Sequence, residues 1–441
     1  MPVHFILKGL SEGFPSIPYL YPVLKVVPWL LLLAALKVYF GGARNKSERL
    51  MHSKVVMITG GTSGIGASIA HELASRGAQI ILLTQHPPSD IFLVDYIQDL
   101  RNSTKNQLIY AEQVDLSSLH SIRTFATKWV DNAPPRRLDM IILCGNTAVP
   151  QGGQRKVTKD GLDEEWQVNY LANFHLLSIL SPAIRAQPPD RDVRIVFATC
   201  SSYIGGTMDP KQTEGAAIAN TTTATKPRGK GKTVAATRPN TNKRKNHNMF
   251  GMTKLALMTF ANSFQSHLSA YKRPDNFPVN ARVLIVDPGF CRTPGTRRWL
   301  TRGSLLGLLF YLMTWPLWWL ILKSPEQGAQ SFLYATMEAK FGRGTGPWLI
   351  KECREVDFLR KEIRDEAVAK QLWEFSEKQI EAKEKEGAVK RALEKKEREE
   401  AEKKKKQQQQ DTTTSTSTTT EGSGSAKAQQ TPGSRRSRKA K

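Results

Sequence analysis

Residues 54–66 read Lys-Val-Val-Met-Ile-Thr-Gly-Gly-Thr-Ser-Gly-Ile-Gly, and this stretch constrains the fold more than any other in the chain. The apolar run suits a strand buried on both faces, and the glycines that end it open a helix predicted over Ala67–Arg76. Glycines at 60, 64 and 66 permit a tight turn and a close backbone approach to a pyrophosphate at a helix N-terminus. Three glycines alone are weak evidence. Their setting between a strand and a helix, with a second apolar strand at Gln79–Leu83, makes the signal specific. Further strand-like runs at Gln107–Val114, Met140–Leu143, Arg194–Ala198 and Arg282–Val286 alternate with helical stretches. The pattern predicts an α/β fold, a doubly wound parallel sheet in one domain over about residues 51–380.

Net charge points elsewhere at first. With 64 basic and 40 acidic residues the 441-residue chain carries +24, the balance of a nucleic-acid binder. The charge is unevenly placed. Residues 207–248 and 401–441 each carry +7, are rich in Thr, Gln, Gly and Asn, and are too polar to bury a core. The basicity therefore belongs mainly to appendages, and no specific nucleic-acid partner is expected. Cys144, Cys200, Cys291 and Cys353 show no metal-ligand spacing, so reduced thiols and no metal site are expected.

Two apolar blocks point to a bilayer. From Ile17 to Phe40 only Lys25 and Lys37 are charged, and 24 residues at about 1.5 Å each would just cross a hydrocarbon core of about 30 Å. Prolines at 15, 18, 22 and 28 argue against a straight span, leaving a spanning helix and a half-inserted anchor as alternatives. Arg44, Lys46, Arg49 and Lys54 follow the block, which places the main domain on the cytosolic side. The second block, Leu305–Leu322, has no charge and carries Trp315, Trp318 and Trp319 around Pro316. It reads as the greasy part of a lid over 299–322 that dips into the same surface. The expected organisation is an anchor over 1–50, the domain over 51–380, and a charged, low-complexity tail over 381–441 with a solvated helix at Gln379–Gln410.

The residues resemble the short-chain dehydrogenase/reductase family, and within it the retinol-dehydrogenase-like branch. Thr59-Gly60-Gly61-Thr62-Ser63-Gly64-Ile65-Gly66 resembles its TGxxxGxG cofactor turn, and Val114-Asp115-Leu116 its adenine-contacting pair. Val168-Asn169-Tyr170 resembles the helix with the proton-relay Asn, and Asp287-Pro288-Gly289-Phe290-Cys291-Arg292-Thr293 the PGxxxT turn beside the nicotinamide. Lys323–Gln330 and Leu372–Lys378 narrow the branch. The resemblance implies a nicotinamide dinucleotide held by Thr59, Gly60, Thr62, Ser63, Gly64, Ile65, Gly66, Gln85, Asp115, Leu116, Asn146, Lys254, Pro288, Gly289 and Thr293. It implies a reacting centre of Asn169, Ser201, Lys254 and the residue at 250.

Three departures matter. Where the family has Asn-Asn-Ala-Gly this chain reads Leu143-Cys144-Gly145-Asn146. At the catalytic serine, strict register gives Cys200, whereas Ser201 is preferred because a hydroxyl positions a carbonyl oxygen better than a thiol. The Tyr-xxx-Lys pair appears as Phe250-Gly-Met-Thr-Lys254, and phenylalanine has no proton to give. Tyr203, or a water held by Ser201, Asn169 and Lys254, is the expected substitute donor. At the end of the second strand Leu82-Leu83-Thr84-Gln85-His86 offers no acid to repel a 2′-phosphate, which favours NADP(H) over NAD(H). The expected activity is a membrane-associated interconversion of a lipophilic alcohol and its aldehyde or ketone, on the endoplasmic reticulum or a lipid droplet. The alternative is a silent nucleotide-binding subunit; either is compatible with an oligomer.

Overall fold

The computed structural model describes residues 20–150, 155–209, 248–344 and 346–417. These fall into two compact units that divide between Glu384 and Lys385.

The first unit is built on strands β1 (Val55–Thr59), β2 (Gln79–Thr84), β3 (Ile109–Gln113), β4 (Met140–Leu143), β5 (Val193–Ala198), β6 (Ala281–Asp287), β7 (Trp348–Lys351) and β8 (Arg354–Val356). They form one sheet in the order β3-β2-β1-β4-β5-β6-β7-β8, parallel throughout except for β8. Every residue of β1 and of β4 is buried, the signature of a sheet covered on both faces. Alternate residues serve opposite layers: Val55 and Met57 join one core, Val56 and Ile58 the other.

On one face lie α2 (Gly64–Ser75), α3 (Ile91–Thr104) and α10 (Pro325–Met337). On the other lie α4 (Leu119–Val130), α5 (Ala172–Arg185), α6 (Met249–Ser269) and the first turns of α11 (Glu366–Ser417). Strand order reverses between β1 and β4, so the crevice above their carboxyl ends is where this architecture places a ligand. The strand expectations and the helix after the glycine turn hold to within a few residues, whereas the tail helix expected at Gln379–Gln410 begins thirteen residues earlier, at Glu366. The pair β7 and β8 has no counterpart among them, because each is four residues or fewer and lacks a clear alternation.

The apolar blocks resolve into shorter pieces. Helix α1 spans Leu20–Gly41 with Pro28 inside it. After the short α7 (Pro294–Leu300), the second block splits at Thr314 into α8 (Leu305–Met313) and α9 (Trp315–Ile321). Among the described residues no helix is long and apolar enough to cross a membrane, so the expected anchor stands without support from a spanning helix. Residues 1–19 of the expected anchor, 210–247 of the basic insert and 418–441 of the tail lie outside the described residues.

Candidate active site

The glycine turn leaves β1 and enters α2 at the switch point. Gly60 has φ +66°, and a Cβ there would lie 2.9 Å from the Gly145 amide nitrogen. A Cβ on Gly66 would stand 2.2 Å from the Gly60 carbonyl oxygen, so only glycine lets the helix start this close to the turn. Thr59 Oγ1 accepts from Gly145 N at 3.1 Å and ties β1 to the loop after β4. Ser63 is the extended N-cap of α2 and makes no side-chain cap bond; Thr62 and Ser63 are exposed. Ile65 packs into the core beneath. Tyr96 donates to Gly61 O at 2.9 Å and braces the turn from α3.

Around this cradle, Leu116 lies over Gly145, and the Asp115 carboxylate accepts from Ser117 N and Oγ at 2.9 and 2.6 Å. Asn146 is exposed on the loop after β4. Gln85 is exposed past β2, with its side-chain nitrogen 3.3 Å from His86 Nε2. The turn after β6 brings Pro288, Gly289 and Thr293 to the same edge. Gly289 N donates to Asp287 Oδ1 at 2.9 Å, and Thr293 caps α7 and packs beside Gly64.

Asn169 sits in a π-helical turn, Gln167–Leu171, that widens the helix where it faces the loop after β4. Its side chain grips that loop: Oδ1 accepts from Thr147 N at 2.7 Å and Nδ2 donates to Thr147 O at 2.8 Å. One turn earlier, buried Glu165 accepts from Val149 N at 2.5 Å, and burial pushes its carboxyl up to about 7. Sequence reading missed Glu165, because nothing in its spacing marks it as buried.

Lys254 lies on α6, four residues after Phe250 and therefore on the same helical face. It is 4 % exposed; Nζ donates to Ala198 O at 3.2 Å and stands 5.6 Å from the Phe250 ring centroid. Burial lowers its pKa, against the opposing influence of Cys200, Cys144 and Asp287. Ser201 turns elsewhere. Its hydroxyl donates to Asp287 Oδ2 at 2.8 Å and accepts from Lys351 Nζ at 3.2 Å, with Lys351 3.6 Å from the same carboxylate. Tyr203 is buried in the core, and burial raises its pKa.

The arrangement combines a turn shaped for a dinucleotide with a buried ammonium at the carboxyl edge of β5 and no hydroxyl on residue 250. The short chain dehydrogenase family model matches residues 54–208. "Uncharacterized oxidoreductase pbr1" of Schizosaccharomyces pombe is 43 % identical over 82 % of this chain and 91 % of its own length. "Retinol dehydrogenase 13" of Mus musculus is 27 % identical over 77 % of this chain and 87 % of its own. "Polyprenol dehydrogenase" of Homo sapiens is 26 % identical over 78 % and 94 %.

Proposed function

We propose that this chain, which belongs to the short-chain dehydrogenase family and is an NAD(P)-dependent oxidoreductase, interconverts a lipophilic alcohol and its aldehyde or ketone at a cytosol-facing lipid surface. The observation that carries the substrate class is the exposed apolar surface of α8, which begins twelve residues after the Thr293 turn beside the glycine cradle. Retinoid, sterol or long-chain lipid substrates fit such a surface, and the names of the retinol and polyprenol dehydrogenases support the class.

The cradle fits a dinucleotide, since Gly60 and Gly66, where a Cβ would strike the backbone of Gly145 and of Gly60, let the turn close tightly against the start of α2 and leave its backbone N–H groups bare. In this reading Thr59, Gly60, Thr62, Ser63, Gly64, Ile65 and Gly66 receive the pyrophosphate at the N-terminus of α2. Asp115, Leu116 and Asn146 flank the adenosine, and Pro288, Gly289 and Thr293 the nicotinamide. Gln85 beside a β2 end without a carboxylate favours NADP(H). When bound, the nicotinamide supplies or accepts a hydride.

The chain's own residues must then manage the proton. Phe250 cannot carry it, so we assign it to the Lys254 ammonium, whose burial eases release. Cys200 takes the place beside the substrate oxygen, because Ser201 commits its hydroxyl to Asp287. Asn169 positions the loop after β4. The silent nucleotide-binding subunit stands as a second reading, favoured by one observation: an aromatic ring without oxygen faces Lys254. Titration of full-length protein with NADPH and NADH, followed by assay with a lipid-aldehyde panel, separates the two. Binding with turnover supports the enzyme; binding without it selects the silent subunit; no binding overturns both.

A further inference from the structure

A second surface lies beyond the cradle. Helix α8 exposes more than half of each of Leu305, Leu306, Leu309, Phe310, Leu312 and Met313, and α1 does the same with Val26, Trp29, Leu30 and Leu31. Helix α1 packs on α9. Lys37 donates to the Trp319 carbonyl and stands 4.6 Å from the centroid of its ring, while the Arg292 guanidinium lies 5.9 Å from that of Trp315. Ten such side chains present more apolar area than the roughly 300–600 Å² of the largest patch on an ordinary monomer.

Charge along the segment that carries α7 to α9 has one sign, although Lys323 within it pairs with Glu352. From Pro288 to Pro325 the chain holds no acidic residue, but it holds Arg292, Arg297, Arg298, Arg302 and Lys323. Arg297, Arg298 and Arg302 are exposed on and just after α7, immediately before the apolar helices. At about 1.5 Å per residue the nine residues of α8 reach about 14 Å, half of a hydrocarbon core, so this element suits the interface and not a span.

We propose that this face docks on an anionic phospholipid bilayer, with the apolar sides of α1 and α8 among the acyl chains and Arg297, Arg298 and Arg302 at the headgroup phosphates. The proposal rests on the lipid-surface reading above and adds to it the lipid chemistry and the residues that select it. A second copy of this chain is a poorer occupant, because two-fold pairing would set one arginine rim against another.

The test is flotation of full-length protein with vesicles of phosphatidylcholine alone, or with one-third phosphatidylserine. Each basic side chain near an anionic surface raises partitioning about fivefold. Wild type should therefore favour the anionic vesicles by at least tenfold. Arg297→Glu with Arg298→Glu should lower partitioning about 25-fold while NADPH binding is retained. Leu305→Asp with Leu309→Asp should abolish binding to both vesicle types. Equal partitioning to both, insensitive to the arginine reversal, overturns the arginine assignment and spares the lipid-surface reading. Binding to neither overturns both. Release of wild type by high salt alone overturns insertion, and a lipid-free dimer broken by the Leu305→Asp, Leu309→Asp pair assigns the face to a second copy.

Discussion

The Lys254 ammonium faces the Phe250 ring across 5.6 Å, where a phenol oxygen would complete a proton-transfer pair. What remains is a buried cation held by one carbonyl, Ala198 O, and by the ring's negative face. In the proposed reading this pair stands at the reacting centre, and Phe250 supplies no acid to it. Each element around it can be tested separately.

The glycine cradle should fail on the addition of one methyl group. Gly66→Ala sets a Cβ against the Gly60 carbonyl at 2.2 Å, and neither backbone can move without opening the turn. NADPH titration by fluorescence should show Kd raised at least ~10-fold. Unchanged binding would mean that the nucleotide does not use this turn.

This part of the molecule was plain in the sequence because local chemistry dictates it. A buried strand, a glycine turn and a helix start are read from adjacent residues, and the alternation that follows has few folds to choose from. Asn169 and Lys254 were legible only through the family motifs that their surroundings resemble. The surroundings of Ser201 were not. Its partners Asp287 and Lys351 come from β6 and β7, 86 and 150 residues away, and β7 is too short to announce itself. Which of Cys200 and Ser201 lies near Lys254 is decided past the end of β5, where the chain enters a short 3₁₀ turn at Ser201 and strand alternation no longer applies.

Substitution should separate those two neighbours. Cys200→Ala should lower kcat about 3- to 10-fold, the worth of one hydrogen bond to the substrate oxygen, and Cys200→Ser should match or exceed wild type. Ser201→Ala should leave kcat within about twofold, because its hydroxyl serves Asp287 and Lys351. The reverse order, measured with one lipid aldehyde and NADPH, would return the role to Ser201.

Glu165 gives the fold a pH dependence. Burial raises its carboxyl from 4.5 to about 7, so between those values the folded protein holds a proton that the unfolded chain releases. The stability it contributes is complete below pH 4.5 and is lost as pH rises through about 7. Glu165→Gln keeps an acceptor for Val149 N and removes the titration. Relative to wild type it should gain about 1–3 kcal/mol between pH 5 and pH 8 in denaturant unfolding. A constant difference across that range would place the carboxyl at its ordinary pKa.

The most direct measurement is turnover of a lipophilic aldehyde panel with NADPH by full-length wild type and Phe250→Tyr side by side. A restored phenol beside Lys254 should raise kcat about 10²- to 10⁴-fold over a slow but measurable wild-type rate, with Kd for NADPH unchanged. Wild type with no turnover, beside an active Phe250→Tyr protein that binds NADPH equally well, would contradict the oxidoreductase reading of the native site and leave the silent subunit in its place.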